Sequence, residues 1–385
     1  MFKVLTIFGT RPEAVKLAPI LLELANYPDE IESMVCATGQ HREMIDQVLA
    51  LFNITPDFDL NLMKPGQGLA DLTMRIFEQV TYLLREVKPH VIIVQGDTTT
   101  VMVAALAAFY EKITVAHVEA GLRSHDPYSP FPEELNRRLT SVLASIHFAP
   151  TEIARQALLA ENLSKADIFV TGNTVIDALQ MIITRPMPAE AQRLLDQVKR
   201  VTNGSPSRLI LVTAHRRENF GQGLEQICCG IKSLVKRNPD IVVLFPVHLN
   251  PLVQEPVKRI LSDVKHVILC DPVGYDVMVH LQNNVHLVLT DSGGIQEEAP
   301  TFGKPVLVMR TETERPEAVE SGTAKLVGPD KHRILTETER LLHNPQAYRE
   351  MAQAVSPYGD GWAAKRIVDI LRLRFETISV NSSFP

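Results

Sequence analysis

The sequence predicts an α/β protein built on two doubly wound parallel sheets, and three observations carry that prediction. Short β-rich runs alternate with helical stretches along almost the whole chain. The alternation runs twice, with a polar, proline-containing stretch between the rounds. Late in the second round, Asp291-Ser292-Gly293-Gly294-Ile295-Gln296-Glu297-Glu298-Ala299 places two glycines where an apolar strand turns into a helix. Without a Cβ, such a turn lets a phosphate approach free N–H groups and the positive helix end.

The expected strands of the first round are residues 4–8, 33–37, 91–95, 113–118, 147–149 and 168–170, most of them apolar and several rich in β-branched side chains. Those of the second are 209–213, 242–246, 267–270, 287–290, 306–308 and 325–327. Parallel pairing follows because the intervening stretches are long enough for crossover helices. Gly172 closes the first round, so the first domain is expected over 1–172 and the second over 173–361. Proline and glycine at 356–361 precede a last helical pattern, within 362–385, that is expected to cross back to the first domain. A length of 385 residues suits two domains, at roughly 100 to 200 residues each.

Charge and composition exclude several classes. A net charge of −6 and a pI near 6.1 offer no global attraction to nucleic acid or an anionic membrane. Cys36, Cys228, Cys229 and Cys270 have no CxxC spacing, which argues against structural zinc and fits a reducing cytoplasm. The apolar start is too short for a signal peptide, and no run approaches the ~18 residues of a membrane span, so a soluble cytoplasmic protein is expected. No GxGxxG follows a strand, and Walker A, HExxH and GxSxG patterns are missing, so nicotinamide, kinase, zinc-protease and serine-hydrolase chemistry lose support.

Open α/β sheets bind ligands beyond the carboxyl ends of their strands, so chemistry is sought there. After the first strand, Gly9-Thr10-Arg11-Pro12-Glu13-Ala14-Val15-Lys16 sets Arg11 and Lys16 at a helix start, either as a diphosphate clamp or as solvated surface cations. Asp97, in Gln95-Gly96-Asp97-Thr98, is a helix cap or a carboxylate facing a cleft. Glu119 ends the next strand, and a purely structural role would require Arg123 or backbone donors beside it. Glu133 and Arg137 lie at i,i+4, the spacing of a surface salt bridge or of a site. Asp97, Glu119 and Glu133 would converge if their loops share one sheet edge, supplying general acids and bases.

In the second round, His215, Arg216 and Arg217 follow one strand and His248 another, where diphosphate contact and a turn-forming role are both open. Asp291 or Ser292 can cap an ordinary helix, or the turn can seat a diphosphate with Glu297 or Glu298 on a ribose. Arg315-Pro316-Glu317-Ala318 repeats Arg11-Pro12-Glu13-Ala14 and offers another cation at a helix start.

These segments, in this order, resemble the non-hydrolysing UDP-N-acetylglucosamine 2-epimerases of bacterial polysaccharide biosynthesis: GTRPEAVK, QGDTTT, HVEAGLRS, PEELNRR, TGNTVID, TAHRREN, PVHLNP, DSGGIQEEAP, GKPVLVMR and ERPEAV. The resemblance implies two Rossmann-like domains in a GT-B, glycogen-phosphorylase-like architecture, with UDP-GlcNAc and UDP-ManNAc interconverted at an interdomain cleft. It implies no cofactor, no metal and a homodimer. By the same resemblance, Asp97, Glu119 and Glu133 move protons or steady the sugar ring, with His215 and Arg137 in support. Arg11, Lys16, Ser292, Gly293, Gly294 and Arg315 hold the diphosphate and Glu298 the ribose. An activator site would use Gln40, Glu43, Glu134, Arg216 and His248, with Gln67 standing where some relatives carry arginine. A hydrolysing relative, a UDP-sugar glycosyltransferase and a silent UDP-sugar sensor are the competing readings.

Overall fold

The computed structural model describes residues 1–39, 42–64, 66–205 and 207–381, with the backbone only for 42–44 and 376–381. Two compact units emerge: one takes Met1–Gln180 and the chain from Tyr358 onward, the other Met181–Pro357. The division falls inside the helix Thr174–Ile183.

In the first unit, β1 (Phe2–Phe8), β2 (Ile31–Ala37), β3 (Phe58–Asp59), β4 (Val91–Gln95), β5 (Thr114–Val118), β6 (Ile146–Ala149) and β7 (Ile168–Val170) form one parallel sheet, ordered β3-β2-β1-β4-β5-β6-β7. Helices on both faces demand strands apolar on both faces, which is why β4 reads Val-Ile-Ile-Val-Gln with every residue buried. Helices Leu69–Val87 and Thr99–Tyr110 pack together over one face, closing a core of Leu5, Ile7, Ile76, Ile92 and Val94.

The second unit repeats the plan with β8 (Arg208–Thr213), β9 (Ile241–Pro246), β10 (Val267–Cys270), β11 (Leu287–Thr290), β12 (Val306–Val308) and β13 (Ala324–Leu326), ordered β10-β9-β8-β11-β12-β13 and all parallel. Helices Gln222–Arg237 and Lys331–His343 cover a core that includes Ile210, Ile231, Phe245 and Leu289. Strand order reverses between β1 and β4 and again between β8 and β11, and at such a switch point the flanking loops part to leave a crevice.

The terminal helix Ala363–Asn381 belongs to the first unit. Asp177 caps its start by accepting from the N–H groups of Ala363 and Ala364, the latter at 2.8 Å. Further along, Phe375 stacks on Phe2 at 5.1 Å, and Arg372 lies over the Tyr27 ring while bonding Glu30 at 2.8 Å.

At the start of helix Arg11–Leu24, Glu13 is buried, and its Oε2 accepts the N–H groups of Gly9 at 2.5 Å and Thr10 at 3.0 Å. Burial outweighs those two donors, and with the charge of Asp97 it raises the Glu13 carboxyl to about 7. A carboxyl raised on folding binds its proton more tightly in the native state, so its contribution is intact below about 4.5 and is lost as pH rises to about 7. Glu13→Gln should therefore flatten this part of the pH dependence. Urea titrations are expected to show the variant gaining on the wild type by on the order of 2 to 3 kcal/mol between pH 4.5 and 7.5. Parallel pH curves would show that Glu13 titrates normally.

Candidate functional site

The carboxyl ends of β1, β4 and β5 bring a set of charges together in the first unit. Glu119 follows β5 with φ of +64°, a left-handed backbone that a non-glycine residue holds only when its surroundings fix it. Its carboxylate forms a short ion pair with Lys16 and accepts from Gln95 Nε2 at 2.8 Å. Both charged side chains are nearly buried, at 10% and 7% exposure, so each is the condition for burying the other. Arg123, one of the partners expected for a structural Glu119, turns instead to Glu161 and Ser141.

Asp97 is not the cap of helix Thr99–Tyr110, because Thr98 takes that place and accepts from Val101 N. The Asp97 carboxylate pairs with Arg137, at 2.9 Å to Nε and 2.7 Å to Nη2. Arg137 also reaches Glu134 at 2.9 Å, and Glu134 accepts the N–H groups of Ser124 and His125. Arg137 is buried, so the Glu133–Arg137 spacing does not describe a surface salt bridge. Glu133, half-buried, opens the same helix, Glu133–Leu143. At the first helix, Glu13 already occupies the Gly9 and Thr10 N–H groups and Lys16 faces Glu119, leaving half-buried Arg11 as the cation at that turn.

Three residues without a role in the sequence reading hold these groups in place. Besides Gln95, Asn136 Nδ2 donates to the Asp97 carbonyl at 2.9 Å. His117 Nε2 lies 2.7 Å from the Gly96 carbonyl, and a carbonyl only accepts, so that nitrogen carries the proton. Burial drives His117 down to about 3, which keeps the ring neutral. A glutamine ending an apolar strand and an asparagine on the polar side of a helix were the available signals.

In the second unit, Asp291 after β11 is fully buried and accepts from His215 N, Arg216 N and Asn219 Nδ2, all near 3.0 Å. It thus ties the β8 loop to the β11 turn and does not cap the helix Gly293–Glu298; the N-cap is Ser292, without a side-chain capping bond. The His215 Nε2 lies 4.0 Å from Asp291, and its ring stacks with His248 at 5.8 Å. Gly293 is crowded by cations: a Cβ there would lie 3.2 Å from Arg315 Cζ and 3.4 Å from Arg216 Nη2. Gly294 and Ser292 complete this turn. Arg315 is steered by Glu297 at 2.8 Å, and buried Glu298 accepts from Gln282 Nε2 at 2.7 Å. The second unit therefore offers two guanidiniums at a glycine turn, and the first offers paired carboxylates.

Of the expected activator residues, Glu134 lies in the first unit and Arg216 and His248 in the second. Gln40 and the Glu43 side chain fall outside the described residues. Gln67 accepts from Arg75 Nη1 at 2.8 Å. Among the described residues no helix is long and apolar enough to cross a membrane, and no group of three or more His, Cys, Asp or Glu side chains could hold a metal ion.

Comparison with known proteins bears on the whole chain. The family model described as UDP-N-acetylglucosamine 2-epimerase matches residues 23–372. The UDP-N-acetylglucosamine 2-epimerase of Escherichia coli O157:H7 is 55% identical over 96% of this chain and 98% of its own. A crystal structure of the Neisseria meningitidis UDP-GlcNAc 2-epimerase bound to UDP-GlcNAc is 50% identical, with a TM-score of 0.88 over 96% of this chain and 99% of that one. The Methanocaldococcus jannaschii enzyme in complex with UDP-GlcNAc and UDP is 34% identical, with a TM-score of 0.79 and the same coverage. This likeness, with two parallel α/β units, places the fold in the GT-B class. The chain belongs to the UDP-N-acetylglucosamine 2-epimerase family.

Proposed function

We propose that this protein interconverts UDP-GlcNAc and UDP-ManNAc by inverting C2 of the sugar, without hydrolysing it. Family membership supports the epimerase reading. The observation that carries the chemistry is the set of acidic groups around one sheet edge, with Asp97 and Glu119 each locked to a cation.

The C2 hydrogen is not alpha to a carbonyl, so a carboxylate of ordinary basicity near 4 cannot remove it from the intact sugar. Cleaving the bond from C1 to the phosphate oxygen changes that. UDP departs with the bonding electrons, C1 gains oxocarbenium character, and C2 loses its proton to a carboxylate to give 2-acetamidoglucal. A proton delivered to the opposite face of C2 and return of the UDP oxygen to C1 complete the inversion. Asp97, Glu119 and Glu133 are assigned to proton transfer and to the positive ring, with Arg137 and His215 in support. Arg11, Lys16, Ser292, Gly293, Gly294 and Arg315 are assigned to the diphosphate, where preorganised donors favour departure of the leaving group, and Glu298 to the ribose. Lys16 serves Glu119 as well, since the two form an ion pair.

A homodimer is part of the proposal. Leu135, Leu139 and Val142 on helix Glu133–Leu143 are exposed, as are Phe109 and Tyr110 on the helix packed beside it, and an apolar face of this kind suits a second copy. Light scattering is expected to give a dimer at micromolar concentration, and Val142→Glu a monomer. A monomeric wild type removes this part.

For the reaction, incubation with UDP-GlcNAc in deuterated water is expected to yield UDP-ManNAc carrying deuterium at C2. Free N-acetylmannosamine would instead mark a hydrolysing enzyme, and an unlabelled C2 a transferase. Asp97→Asn, Glu119→Gln and Glu133→Gln should each lower kcat by about 100-fold or more with UDP binding largely kept. Full turnover in all three would remove these carboxylates from the chemistry, and a wild type that binds UDP-GlcNAc without turning it over would leave only a sugar-nucleotide sensor.

A further inference from the structure

We infer that Arg310 is a positioning residue for the diphosphate seat proposed at Gly293: it engages Glu218 and Glu314 so that Arg315 stays presented at that glycine. The inference rests on the proposed seat and concerns how its cation is held.

Arg310 follows β12 and is only 7% exposed, yet it lies between two acids from different loops. Its Nε meets Glu218 Oε1 at 2.5 Å, beyond β8, and its Nη1 and Nη2 meet the two oxygens of Glu314 at 2.7 and 3.3 Å. The second acid is the important one. Glu314 Oε2 also lies 3.8 Å from Arg315 Nη1, so a single carboxylate is shared by both arginines. Burial would favour a neutral Glu314, but the Arg310 hydrogen bond and the charges of Arg315 and Arg310 hold its carboxyl at about 2. It is therefore anionic at neutral pH.

Arg315 is pulled in two directions. Glu297, in the helix that begins at Gly293, holds Nε at 2.8 Å and keeps the guanidinium over that glycine. Glu314 pulls toward its own loop, and the fork of Arg310 satisfies it. A fork matters because it meets both carboxylate oxygens in one plane, which a lysine cannot do. Without Arg310, Glu314 is left nearly buried with Arg315 as its nearest cation. The expected response is a closer Glu314–Arg315 pair and a cation less available to an incoming diphosphate.

The test compares UDP with uridine by calorimetry, because the two ligands differ only in the diphosphate. Arg310→Gln is expected to weaken UDP binding by about 10-fold or more while uridine affinity is unchanged, the unchanged uridine serving as the folding control. Arg310→Lys should fall between wild type and Arg310→Gln. Adding Glu314→Gln to Arg310→Gln should recover most of the UDP affinity, since the competing charge is gone. A wild type that prefers UDP, joined with an Arg310→Gln variant that keeps the preference, overturns the inference alone. So does equal loss of both ligands, or a double variant no better than the single one. A wild type that binds UDP no better than uridine removes the seat itself, and the inference with it.

Discussion

The cost of burying charge governs the organisation of both units. Acidic residues follow strand after strand at the carboxyl edges, and a carboxylate taken out of water without a partner is expensive enough to prevent folding or force protonation. Many here are met by a cation, from another element in Lys16–Glu119, Arg137–Asp97 and Arg315–Glu297, and from the same helix or loop in Arg137–Glu134 and Arg310–Glu314. Glu13, Asp177 and Asp291 rely instead on N–H donors, and burial raises the carboxyls of Glu13 and Asp177, to about 7 and about 6. The sheets fix where the loops emerge; the pairs fix where the side chains point.

That division explains how far the sequence could be read. Strands buried on both faces are continuous apolar runs, so twelve of the thirteen strands among the described residues are visible in composition alone. The exception, β3, is two residues long and pairs only at Cys36–Phe58 and Ala37–Asp59, too short to leave a periodic signal. Side-chain partners are a different matter. Whether Asp97 caps a helix or faces a site depends on Arg137, 40 residues away, and the partner of Glu119 lies 103 residues earlier. Local sequence cannot choose among such partners, because the choice depends on strand order. The same limit hid the role of Asp291, whose carboxylate accepts from a neighbouring loop's N–H groups and not from its own helix.

Glu119 shows what tight pairing permits. A left-handed backbone at a residue with a side chain costs roughly 1 to 3 kcal/mol and persists only if several contacts agree on it. Lys16, Gln95 and the end of β5 supply that agreement. The side chain is consequently fixed in one direction, and in the proposed reaction little reorganisation would be left for it.

The terminal helix adds a constraint of a different kind, one of time. Phe2 stands on β1, and its stacking partner Phe375 emerges only after all of Met181–Pro357 has been made. On a ribosome adding about 5 to 20 residues per second, the nascent first unit waits many seconds with that surface uncovered. The intervening unit, contiguous in sequence, has every strand it needs before then. Order of emergence thus leaves the face of the first unit that meets the terminal helix to be sealed last.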